Sequence, residues 1–194
     1  MKLDPLQYRD EVLPTDVALV RRIVESSGFF STAEVEVAVE LVEARLSQGT
    51  RSGYSFVFAD AGGQTVGYSC YGPIACTECS FDLYWIAVEA QWRGLGLGRE
   101  LLSHTERRVK ALGGRRVYVE TSSRRQYLPT RAFYLGCGYH EEAILKDFYS
   151  PGDDKVIYIR ALDMMPKIDG ALPRSISDAR SRARDCHDAQ LPRL

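Results

Sequence analysis

Residues 91–99, Gln-Trp-Arg-Gly-Leu-Gly-Leu-Gly-Arg, set glycines at 94, 96 and 98 between arginines at 93 and 99. The stretch follows an apolar run ending at Val88 and precedes a helix-like run, Glu-Leu-Leu-Ser-His-Thr-Glu-Arg-Arg-Val-Lys-Ala-Leu. A helix starting near Gly96 leaves its first backbone N–H groups unpaired and places the positive end of its macrodipole at the turn. Glycine lets the backbone come close to a ligand, and Arg93 and Arg99 can add charge-assisted hydrogen bonds. The chemistry of this pattern is the binding of an anion, most simply a phosphate. The bland alternative is a tight strand-to-helix connection in which glycine merely relieves crowding.

Two familiar phosphate sites do not fit. A dinucleotide fingerprint, Gly-x-Gly-x-x-Gly, starting at Gly94 would need glycine at 99, where Arg99 stands. Glu120, at the end of the next strand-like run, would otherwise have suited such a site. A P-loop fails because no Gly-Lys-Ser/Thr follows. Cys76 and Cys79 have a Cys-x-x-Cys spacing without a second pair, and His104, His140 and His187 are scattered, so no metal site is expected.

Length and charge narrow the class further. At 194 residues the chain suits one domain with a real core. A net charge of −1 gives no global field toward nucleic acid or anionic lipid, so neither partner is expected. Five cysteines, an odd number, do not read as a disulfide framework; a reducing, cytoplasmic setting is the default. The start, Met-Lys-Leu-Asp-Pro-Leu-Gln-Tyr-Arg-Asp-Glu-Val, lacks an apolar signal core, and no apolar run reaches membrane-spanning length.

Positioning the turn requires a scaffold, and the periodicities supply one. A short strand over 6–12 precedes two helices, the first capped by Thr15 or Asp16 and the second by Ser31, with Glu34 at capping-box spacing. Tyr-Ser-Phe-Val-Phe-Ala-Asp (54–60) and Thr-Val-Gly-Tyr-Ser-Cys-Tyr-Gly (65–72) flank a glycine turn and read as a hairpin. A third strand feeds the glycine turn. Leu97, Leu101, Thr105, Val109 and Leu112 then recur at helical spacing. A strand over 115–121, a short helix within 130–139 and a final hairpin complete the order β-α-α-β-β-β-α-β-α-β-β. Such an α/β chain needs helices on both faces of a mixed sheet. Residues 165–194 lack an apolar stripe and read as a polar Arg/Asp-rich tail outside the 1–164 domain. The tail arginines are offset by Asp178, Asp185 and Asp188.

Arg93, Gly96 and Gly98 fit a known signature: Gln or Arg, two variable residues, Gly, one variable residue, then Gly or Ala. The stretch resembles the pyrophosphate-binding turn of the GNAT superfamily of acetyl-CoA-dependent N-acetyltransferases. Ala-Phe-Tyr-Leu-Gly-Cys-Gly-Tyr (132–139) resembles the family's tyrosine-bearing helix, and the element order agrees from about Leu6 to Leu162.

The resemblance implies a GNAT-like, mostly antiparallel twisted sheet of about six to seven strands. It also implies acetyl-CoA as co-substrate and direct attack of an amine on the thioester. Arg93, Gly94, Leu95, Gly96, Leu97, Gly98 and Arg99 would hold the pyrophosphate. Backbone groups of Ile86, Ala87 and Val88 would meet the pantetheine arm. Tyr134 would be the general acid, and Asp82 or Glu120 the general base, directly or through water; Glu120 is preferred because strand carboxyl ends face the ligand crevice. Tyr127 stands where family members often carry asparagine, and Arg124 and Arg125 fall in a loop read as solvated. The acceptor is read as a small-molecule amine or amino acid, in a pocket including Phe29, Phe30 and the turn at Pro151-Gly152. The other readings are an acyl-CoA sensor without turnover and a protein N-acetyltransferase. A homodimer is left open.

Overall fold

β-branched and aromatic runs at strand spacing assemble into one seven-stranded sheet in the computed structural model, which describes residues 6–162. In chain order the elements are β1 (Gln7–Arg9), α1 (Asp16–Ser26), α2 (Thr32–Gln48), β2 (Ser55–Ala61), β3 (Gln64–Pro73), β4 (Ser80–Val88), α3 (Leu97–Ala111), β5 (Arg116–Ser122), α4 (Leu128–Gly136), β6 (His140–Ser150) and β7 (Asp153–Ala161). The strands lie in the order β1-β2-β3-β4-β5-β7-β6. Only β4 and β5, joined through α3, run parallel; every other pairing is antiparallel. The expected element order is the observed one. The reading of residues 165–194 as a tail lies outside the described residues.

Alternation along each strand divides the core between the two faces. Val57, Ala59, Phe81 and Leu83 pack with Leu97, Leu101 and Val109 of α3 and Tyr134 of α4. Phe56, Phe58, Tyr68 and Ala87 pack with Val20 and Ile23 of α1 and Val35, Ala38 and Val42 of α2. No helix is long and apolar enough to cross a membrane among the described residues.

Capping follows the expectation at α2 and departs from it at α1. Glu34 N–H donates to Ser31 Oγ, and Ser31 N–H donates to Glu34 Oε2 at 2.7 Å, closing a capping box. At α1 neither expected residue caps through its side chain. Asp16 is instead fully buried and takes both terminal nitrogens of Arg9, at 2.8 and 2.6 Å, together with the Leu13 N–H. Arg9 also reaches Asp60, so the buried carboxylate ties β1 and α1 to β2. A capping motif four residues long can be read locally; a partner from another strand cannot.

Two irregularities in β4 position the site. The parallel pairing with β5 stops at Asp82↔Tyr118, so β4 from Leu83 to Val88 diverges from β5. The antiparallel register with β3 also shifts between Cys70↔Trp85 and Tyr71↔Leu83, leaving Tyr84 as the extra residue. The bulge reverses the side-chain phase. Phe81 and Leu83 face α3 before it, whereas Trp85 and Ala87 face α1 and α2 after it, with Ile86 and Val88 now packed on the α3 side. The cleft opens where the strands part.

Candidate active site

The cleft has a volume of about 970 Å³ and runs between the parted halves of β4 and β5. The glycine turn forms one end. Gly94 and Gly96 adopt left-handed backbone conformations with φ of 75° and 88°, which an L side chain rarely tolerates. Space is not the constraint there, because a Cβ on either residue would meet nothing within 4 Å. Gly98 differs: its φ is ordinary, and a Cβ would stand 3.5 Å from Phe133, an ordinary contact. Among the described residues, no hydrogen bond takes up the N–H groups of Gly94, Leu95, Gly96, Leu97 or Gly98. Five successive free donors at the start of α3 form a cradle that an anion fits.

The flanking arginines line the cleft but are also held by the protein. Arg93 donates to the carbonyls of Val88 at 3.2 Å and Ser27 at 3.4 Å, and its guanidinium lies 5.3 Å from the Phe29 ring centre. Arg99 donates to the carbonyl of Gly136 at 2.8 Å. Each arginine thus bridges the turn to a neighbouring element while keeping further N–H groups for an anion.

Along the middle of the cleft run Ile86, Ala87 and Val88 of β4, on the side that β5 leaves unpaired. Backbone groups on this stretch are available to an extended ligand arm in the manner of an added strand. Opposite lies Tyr134, 5% exposed, with its ring among Phe133, Tyr139 and Tyr158 at centre distances of 5.3, 5.6 and 6.1 Å. Burial raises its phenol well above the ordinary value, so it remains protonated at neutral pH. No hydrogen bond engages its Oη among the described residues, although the side chain lines the cleft.

At the parting of the strands the structure brings Asp82 and Glu120 close enough to interact. Glu120 lines the cleft and pairs with Lys155 at 2.6 Å. Lys155 in turn lies 3.7 Å from the centre of the Phe148 ring. Asp82, the last residue of β4 paired to β5, sits just outside the lining. Its carboxyl is pushed up to about 6, first by burial and then by the charge of Glu120, with Lys155 opposing.

Several lining residues were not singled out as site residues by sequence reasoning. Trp85 packs against Phe30 at 4.9 Å between ring centres, and its indole N–H is buried with no partner. Tyr84, Tyr127, Tyr149, Ser122 and Asp153 also line this end. Arg124, read as part of a solvated loop, reaches the buried Asp153 at 2.8 Å and lines the cleft. Arg131 donates to the carbonyls of Ser122 and Arg124, fastening the loop that presents Tyr127. The one sequence signal for this wall was the density of tyrosine and phenylalanine near 127 and 148–149.

Comparison with known proteins identifies the family and the fold. The model of the acetyltransferase (GNAT) domain matches residues 52–141. A crystal structure from Desulfovibrio desulfuricans, of a protein assigned to the GNAT family of acetyltransferases, is 49% identical, covers 81% of this chain and 99% of that one, and superposes with a TM-score of 0.80. An aminoglycoside 6′-N-acetyltransferase in complex with coenzyme A is 16% identical over 85% of this chain and 99% of that one, with a TM-score of 0.65. The ribosomal-protein-S18-alanine N-acetyltransferase of Escherichia coli is 17% identical over 86% of this chain and all of that one, also with a TM-score of 0.65. At those identities the last two show the fold alone. No curated protein sequence matches the chain.

Proposed function

The chain belongs to the GNAT family of acetyltransferases, and from that premise we propose that it moves an acetyl group from acetyl-CoA to the primary amine of a small molecule. The observation that carries the reading is the run of free N–H donors from Gly94 to Gly98 at the foot of a cleft opened by the parting of β4 and β5. Pyrophosphate suits the donors, and an extended pantetheine arm suits the exposed edge of β4. The coenzyme A bound to the aminoglycoside acetyltransferase of the same fold adds support.

Acetyl-CoA supplies an activated thioester. The protein then needs to orient it, accept a proton from the amine and supply one to sulfur. A β4 backbone N–H beyond the bulge polarises the acetyl carbonyl. Glu120, at the cleft wall, receives the proton of the attacking nitrogen, with Asp82 beside it as a second carboxylate. Tyr134 donates a hydrogen bond to the departing sulfur and delivers its proton as the C–S bond breaks. The nitrogen–carbon bond forms, the carbon–sulfur bond breaks, and the net proton moves from nitrogen to sulfur. Positioning and electrostatics carry most of the acceleration.

Binding is tested by thermal denaturation with acetyl-CoA, CoA, NAD and ATP. Acetyl-CoA and CoA are expected to raise Tm, with NAD and ATP giving little. Gly96→Ala should weaken the effect about tenfold in coenzyme concentration, because the left-handed turn is strained by roughly 1–2 kcal/mol. Gly98→Ala, with an ordinary φ, should retain it. A Tm raised by NAD and not by CoA would overturn the assignment.

A further inference from the structure

We propose that the acceptor is a primary amine that carries a second positive charge and no carboxylate, a diamine or polyamine rather than a free amino acid. This rests on the acetyltransferase reading above. At the acceptor end of the cleft the cations are already taken. Lys155 is held by Glu120 at 2.6 Å and Arg124 by Asp153 at 2.8 Å. Arg93 and Arg99 stand at the other end, beside the glycine turn. Among the described residues no cation at that end is without a carboxylate partner.

Carboxylates are in excess. Asp82 and Glu34 have no ion-pair partner among the described residues. Glu34 holds the Ser31 N–H and hydroxyl through one oxygen, Oε2, and lines the cleft with its other oxygen uncommitted. The negative field is felt by Tyr149, whose phenol is pushed up to about 12 by burial, with Glu120, Asp153 and Glu34 adding to the shift. Between the Glu120 end and Glu34 the wall is aromatic: Trp85 against Phe30, then Tyr84, Tyr127 and Tyr149. Aromatic faces accept both an alkyl chain and an ammonium group. One nitrogen, deprotonated, meets Glu120; the second, still protonated, lies toward Glu34. A carboxylate in that position would meet like charge and, among the described residues, no unpaired cation.

Three amines of one length separate the possibilities: butylamine, 1,4-diaminobutane and 4-aminobutanoate. At low salt, kcat/KM is expected to be roughly tenfold higher for the diamine than for butylamine, the scale of one favourable charge contact, and lowest for the amino acid. Glu34→Gln retains the capping box, since glutamine can take the same N–H, but removes the charge. In that variant the diamine-to-butylamine ratio should fall toward one, a readout that a general loss of folding would not move. A 4-aminobutanoate rate equal to or above the diamine rate overturns the inference, as does a ratio unchanged in Glu34→Gln. Failure to acetylate any of the three also overturns it. The transferase reading survives that failure if an aromatic amine or a peptide N-terminus is acetylated, and falls if neither is.

Discussion

Tyr134→Phe is expected to lower kcat for acetyl transfer by roughly a hundredfold or more, the usual scale for a general acid, with little change in acetyl-CoA affinity. The ring is buried among Phe133, Tyr139 and Tyr158, and phenylalanine preserves that packing. Removal of the hydroxyl breaks no internal hydrogen bond among the described residues, so folding should be unaffected. The hydroxyl acts only when charge develops on sulfur. Its loss should therefore appear in kcat and kcat/KM alike, the signature of an interaction made in the transition state. Burial keeps the phenol protonated, which suits a donor and excludes a base. A variant with normal turnover would remove Tyr134 from the chemistry and leave it as a core residue.

The carboxylate pair gives the second large effect. Glu120→Gln is expected to reduce kcat/KM by roughly a hundredfold, because it removes the group at the cleft wall that meets the amine. Asp82→Asn should cost less, and its effect should be seen in the pH profile. With its pKa pushed up to about 6, the Asp82 carboxyl loses its proton near that pH. Below it the negative charge beside Glu120 is lost, so rate falls as pH falls. The amine substrate adds its own titration near 10, the range of an alkylammonium such as lysine. In the wild type, log(kcat/KM) should therefore rise more steeply below pH 6 than above it. Asp82→Asn removes the titrating group and should abolish the break near pH 6.

Stability should move the other way. Asp82 has a folded-state pKa raised above its unfolded value, so the folded state binds the extra proton between the two. Wild-type stability thus falls as pH rises from about 4 to 6. Above that window Asp82→Asn should be more stable than wild type while turning over more slowly, the mark of a group kept at a cost for function. Full activity in Glu120→Gln, with loss in Asp82→Asn, would reverse the roles and leave Glu120 as the ion-pair partner of Lys155.

The residues that could be read ahead of the structure are those whose roles are local. The Ser31/Glu34 box spans one helical turn, and the glycine turn is contiguous, with its φ demands at Gly94 and Gly96 written in the residue types. The element order followed from periodicity for the same reason. What escaped depends on partners distant in the chain. Ser-Phe-Asp-Leu-Tyr-Trp-Ile-Ala-Val reads as one apolar strand, and from Leu83 onward every residue is apolar or aromatic. An unbroken run hides a change of phase, so the bulge at Tyr84 and the parting from β5 could not be seen. The same holds for Glu120 with Lys155 and for Arg124 with Asp153, pairs from β5 and its following loop to β7. Arg93 and Arg99 flank the turn in the sequence itself, but their hold on Ser27 and Gly136 depends on the segments at the ends of α1 and α4.

Direct transfer from acetyl-CoA to an amine can be followed by assaying free CoA thiol and acetylated amine together, with intact-protein mass measured in parallel. One thiol is expected per acetamide formed, with release that depends on the amine and no acetylated protein intermediate when amine is withheld. Bound acetyl-CoA with no amine-dependent thiol release would contradict it.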